Sequence, residues 1–151
     1  MTMFLERKQD QSVYYFIKNI FAAIPAVKVV DEYPNQLLTL PTVSVENMSL
    51  TIRPFEIGNR KGRRYAMWAI DVFATSKTQR DDIAYKILET LEYNIPVYDY
   101  DQGFPPTTVP QIGVLQPEDI HYNIIKVIPA LVDTLYWRSL INLTSTYESK
   151  I

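Results

Sequence analysis

Few residues of this chain are of types that do chemistry, and the densest group is basic. Arg60, Lys61, Arg63 and Arg64 place four positive side chains within five positions, beside Gly58 and Gly62, and the nearest acid is Glu56. Glycines among polar residues mark the tip of a long hairpin. Charge there keeps an exposed turn soluble, and it equally suits contact with DNA or an acidic protein surface, since Lys and Arg neutralise phosphates without reading sequence. The single histidine, His121, sits in an alternating apolar run with no neighbour to orient it, so it is read as structural rather than as a base. Asp99, Asp101, Gln102 and Gly103 look like the start of a calcium loop, but the ligand alternation stops there and the closing glutamate is missing. No metal site is expected. Asp71 stands inside the apolar stretch 65–74, and a carboxylate there needs a partner, expected to be a basic residue of a neighbouring strand or chain.

No Gly-x-Ser-x-Gly elbow and no Gly-rich phosphate loop occurs in the sequence. With no cysteine, disulfides, thiol nucleophiles and thiolate metal sites are excluded. The expectation is a protein that is not an enzyme and needs no cofactor. Fifteen basic and 17 acidic residues, net -2, are too balanced for a global field that would draw nucleic acid or an anionic membrane, so such contact has to be local. No signal peptide is visible, and no apolar run approaches the ~20 residues of a spanning helix, so a soluble, non-exported chain is expected.

The elements that must position these residues are legible from periodicity. The length and the 47% hydrophobic content suit one compact unit, read as an α+β domain over residues 12–151 behind an N-terminal arm, residues 1–11. Val13, Phe16, Ile17, Ile20, Phe21 and Ile24 recur at helical spacing, with Asp10 or Ser12 as cap and Pro25 as stop. Residues 26–30 read as a short edge strand and 31–41 as a connecting loop. From Thr42 the chain alternates as a strand, but its apolar positions switch from odd (Val43, Val45) to even (Met48, Leu50, Ile52). That predicts a bulge or a tight turn at 46–48.

Residues 65–74 are apolar on both faces and predict a strand that is central or whose second face is an interface. Ser76 and Gln79 form a capping box for the next helix, whose stripe is Ile83, Ala84, Ile87, Leu88 and Leu91, with Asp81 and Asp82 placed near its positive end. Pro96 confines the strand 95–98 to an edge, residues 99–119 read as a long loop, and strands follow at 120–128 and 135–147. The sum is an α+β fold, a mainly antiparallel sheet with two helices on one face and a long extended β-hairpin. Two helices leave the other face open, so a contiguous apolar patch reserved for another chain is expected there.

This order of helix, hairpin, helix and strands resembles the tail-terminator and neck proteins of long-tailed bacteriophages over about residues 12–147. The stretch 65–82 with its following helix, the segment Ile95-Pro96-Val97-Tyr98-Asp99-Tyr100 and the closing Tyr136-Trp137-Arg138 carry the likeness. The resemblance implies a structural virion protein, a homohexameric ring that caps the tail tube and joins it to the head, with tail-tube and neck or connector proteins as neighbours. It implies no catalytic residues, no membrane partner, and a place in the virion after assembly in the host cytoplasm. Arg60, Lys61, Arg63 and Arg64 would then face either the ring's lumen, in non-specific contact with packaged DNA, or one of its rims. The competing reading is a small α+β ligand-binding domain or enzyme with a site under the 99–119 loop.

Overall fold

The computed structural model describes residues 4–24, 26–31, 41–53, 63–102, 110–125 and 137–149. Helix α1 spans Leu5–Ile20, strands β1, β2 and β3 span Lys28–Val30, Thr42–Arg53 and Arg63–Ala74, and helix α2 spans Lys77–Thr90. Strand β4 spans Ile95–Tyr98, a turn of 3-10 helix Tyr100–Gln102, β5 Gln111–Ile125 and β6 Trp137–Ser149. The strands form one six-stranded sheet in the order β1-β2-β3-β6-β5-β4, antiparallel except for the parallel β1–β2 pair. This is an α+β fold.

Strand β3 is central, as its apolar run implied. Ala66, Trp68, Ile70 and Val72 share a core with Val13, Ile17 and Phe21 of α1, with Ile83, Ala84 and Ile87 of α2, and with Ile141 and Leu143 of β6. Both helices therefore lie on one face of the sheet. The cap of α2 is the expected one with a shift of one residue: Ser76 Oγ accepts from Gln79 N at 3.2 Å, while Gln79 Oε1 accepts from Thr75 N and Oγ1 at 2.8 Å each. Since the first turn runs from Lys77 to Arg80, Asp81 and Asp82 lie beyond it, and Asp81 instead pairs with Arg80 Nη2 at 3.0 Å.

The register break in β2 is a bulge at Met48, between the pairs Asn47–Trp68 and Ser49–Met67. Paired antiparallel residues share a face. The bulge thus keeps Val43, Val45, Leu50 and Ile52 on the helix side, which is why the apolar parity switches. Edge positions also agree, with β1 and Pro96-bearing β4 as the two outer strands.

Three expectations fail. Helix α1 begins at Leu5, not after Asp10, so residues 5–11 are helical; their buried residues are the polar Lys8 and Gln9, followed by Ser12, which hydrophobic periodicity does not register. Strand β5 begins at Gln111, which shortens the loop read as 99–119. Its apparent breakers have local reasons: the Tyr147 ring lies where a Cβ on Gly113 would come within 2.5 Å, and Pro117 falls beyond the β4 ladder beside a bulge. Lastly, among the described residues the sheet's second face shows no contiguous exposed apolar patch. Its rows read Ser44, Asp71, Leu140, Asn123 and then Glu46, Ala69, Asn142, His121, and Asp71 Oδ1 accepts from Arg138 Nε and Nη2 at 3.1 and 2.8 Å. Asp71 has the neighbouring-strand partner its setting demanded, and the Arg138 guanidinium also lies 5.3 Å from the centre of the Phe73 ring.

Candidate interaction surface

In the outer half of the β2–β3 hairpin, the arm, the side chains of β2 are left exposed. Residues 47–52 of β2 are all exposed, including Met48 at 58%, Leu50 at 42% and Ile52 at 55%. They pair with β3 throughout except at the Met48 bulge, so the arm is a strand ladder rather than a loop. Three large apolar side chains left in water contrast with the earlier part of the same strand, where Val43 and Val45 are buried.

The arm is anchored on its helix side by the polar half of α1. Glu6 forms an ion pair with Arg64 Nη1, and Asp10 Oδ1 accepts from Trp68 Nε1 at 3.0 Å. Between them runs a groove of about 300 Å³, walled by Glu6, Gln9 and Asp10 of α1 and by Asn47, Leu50 and Ala66 of the hairpin. Burial holds the Asp10 carboxyl above its usual range, opposing the Trp68 hydrogen bond that would lower it.

Lys8 fixes the helix from its other flank. Its ammonium sits 2.8 Å from Asp99 and 2.8 Å from Asp101, and Ser12 Oγ donates to Lys8 O at 2.7 Å while accepting from Tyr98 N at 3.3 Å. Hydrogen bonds to Asp101 and Asp99 hold the Lys8 ammonium above the usual lysine range, against the desolvation that lowers it. The two carboxylates that looked like calcium ligands in sequence are engaged by a lysine about ninety residues away. Among the described residues no group of three or more His, Asp or Glu could hold a metal ion, and no helix is long and apolar enough to cross a membrane.

The basic tip is only partly in view. Arg60 and Lys61 lie outside the described residues. Arg63 opens β3 in register opposite Arg53, and Arg64, half exposed, is bound to Glu6. One of the four charges is therefore locally neutralised. The site proposed under residues 99–119 falls partly on 103–109, outside the described residues, and its described flanks form the Lys8 cluster.

The opposite edge of the sheet is acidic. Past its bulge, β5 exposes Glu118 and Asp119, and His121 Nε2 lies 3.3 Å from Asp119 with both side chains mostly in water. Ile124 is 53% exposed, and Tyr85 of α2, 56% exposed, rests its ring 5.9 Å from that of Tyr122. Sequence reading missed Lys8 and Glu6, because each is defined by a partner distant in sequence. The signal that was available is the run of exposed-type apolar residues 48, 50 and 52 next to the arginine cluster.

No protein-family description matches the sequence, and no curated protein does. Among solved structures the chain is similar to one titled "Structure of bacteriophage SPP1 gp17 protein", with 19% identity over 93% of this chain and 88% of that one and a TM-score of 0.46.

Proposed function

We propose that the chain is a structural subunit of a bacteriophage neck, a tail terminator that assembles as a homohexameric ring, caps the tail tube and joins tail to head. The observation that carries this reading is the outer half of the β2–β3 hairpin: a strand ladder, broken only at the Met48 bulge, that leaves Met48, Leu50 and Ile52 exposed. A monomer gains nothing from holding such a ladder in water, whereas a partner that covers it gains apolar burial and backbone pairing. In this reading Arg60, Lys61, Arg63 and Arg64 line the lumen or a rim, where copies gathered by symmetry produce a field that one copy lacks. Facing the lumen, they attract DNA in a salt-weakened, sequence-independent way. On a rim, they set register against an acidic neighbouring ring.

Native mass measurement with negative-stain microscopy tests the reading. Particles at six times 17.6 kDa with a central opening are expected, free in solution or on purified tail tubes. A chain that remains single in both settings refutes it.

A further inference from the structure

We propose that the groove between the C-terminal half of α1 and the edge strand β1 takes a short, extended, acidic segment of another protein, which adds to β1 as a further strand. This surface is separate from the β2–β3 arm on which the ring reading rests.

Strand β1 is the outermost strand of the sheet, parallel to β2, and among the described residues its other side has no partner. Lys28 N donates to Pro41 O at 3.1 Å, so the backbone groups of Lys28 face β2 and, by alternation, those of Val29 face outward. The ladder leaves the Val29 N–H unused. Val29 O accepts from the Tyr14 hydroxyl at 3.5 Å, which is long for a hydrogen bond. The register of β1 runs unbroken through its three pairs, so unlike β2 and β5 it carries no bulge that would turn a new strand away. Its shortness and the helix beside it admit one short segment rather than the edge of another sheet.

The groove alongside, of about 460 Å³, is walled by Tyr15, Lys18 and Phe21 on the helix side and by Val27, Lys28 and Val29 on the strand side. Its walls are largely apolar, with Phe21 buried and Val27 and Val29 half-buried. No carboxylate lines it, although the chain as a whole has net charge -2. Lys18 and Lys28 are exposed, and Lys86 of α2 comes within 6.0 Å of the centre of the Phe21 ring. Lys18 lies 5.6 Å from the centre of the Tyr14 ring, and among the described residues none of these three lysines is in an ion pair. Val29 shares the helix side of the sheet with its partner Val43, and Lys28 has the opposite facing. A strand of alternating apolar and acidic residues laid against β1 therefore sets its apolar side chains over Val29 and its carboxylates beside Lys28, with backbone bonds to Val29. Inorganic phosphate would satisfy the lysines but leave the strand edge and the apolar walls unused.

The test is fluorescence anisotropy on the full chain with a short labelled peptide of alternating Val and Glu. Saturable binding with a Kd below ~1 mM is expected. Lys18→Glu with Lys28→Glu, both at exposed positions, should weaken it by about tenfold. Val29→Pro removes an N–H that lies outside the ladder, a change that an edge strand tolerates, and should weaken binding by about fivefold to tenfold. Equal thermal midpoints confirm that the variants fold. The same peptide N-methylated at alternate amides probes the backbone bonds with the protein unaltered, and should lose affinity to a similar degree. No saturable binding at ~1 mM overturns the inference, as does equal affinity for a peptide of alternating Val and Lys. Unchanged affinity of the methylated peptide overturns strand addition. A single-stranded oligonucleotide of equal charge that binds more tightly than the peptide assigns the lysines to nucleic acid and also overturns it. Loss of self-association in the charge variant, with no peptide bound by the parent, puts a second copy in the groove instead.

Discussion

Along β2 the chain passes from a buried half to a bare half without changing the kind of residue it uses. Val43 and Val45 alternate with Thr42 and Ser44 as Leu50 and Ile52 alternate with Ser49 and Thr51, and the bulge keeps both apolar sets on the same side of the sheet. The first pair is inaccessible beneath the helices and the second stands in water. Helix α1 shows the converse. Its C-terminal half is held by Val13 and Ile17 in the core, and its N-terminal half by Lys8, Ser12, Asp10 and Glu6 through ion pairs and hydrogen bonds. Alternation therefore specifies a strand and its facing, while what lies opposite that face is a separate matter.

The sharpest way to break the comparison is to truncate matched aliphatic residues on either side of it. Ile87→Ala, at a fully buried core position, should cost ~2–5 kcal/mol, whereas Ile52→Ala on the arm should stay within about 0.5 kcal/mol in the isolated chain, both read by urea unfolding. An arm truncation as costly as the core one would show that the isolated subunit already buries Ile52.

Next in size is the polar anchor of α1. Lys8→Met leaves Asp99 and Asp101 facing each other without their cation and should cost about 1–3 kcal/mol, with hydrogen exchange increasing selectively over residues 5–12. Because the folded Lys8 pKa is raised, the stability it contributes is fully present below pH 10.5 and is lost as pH rises through the folded value.

Asp10 gives a smaller effect whose sign depends on pH. Its folded pKa is raised above 3.8 by burial, so its contribution is present below that value and lost as pH rises through the folded one. Asp10→Asn keeps an oxygen for Trp68 Nε1 and removes the charge. The variant should therefore be the more stable protein near neutral pH, and the gap should close as pH falls toward 3.8. A gap that is independent of pH would show that burial does not act on the Asp10 charge.

The smallest expected change in stability is at the arginines. Replacing Arg60, Lys61, Arg63 and Arg64 by Ser should alter unfolding by less than ~1 kcal/mol, the loss of the exposed Arg64–Glu6 pair included, yet reduce head-to-tail joining. Unchanged yields of infectious particles would mean that the tip charges serve only solubility.

By itself the sequence determined the α+β class, the capped start of α2, the edge strands with their proline, the register break in β2 and the need of Asp71 for a basic partner. Each of these is a local rule, of period, cap chemistry or burial of a charge, written in residues near one another. Only the tertiary structure decided that α1 begins at Leu5, since Lys8 is buried by Asp99 and Asp101 from the far side of the chain. It alone decided that Gly113 and Pro117 sit inside a strand, because the Tyr147 ring and the end of the β4 ladder make room for them. It also moved the exposed apolar surface from the second face of the sheet to the β2–β3 arm. Alternation reports which side chains share a face, and only packing reports which faces find a cover.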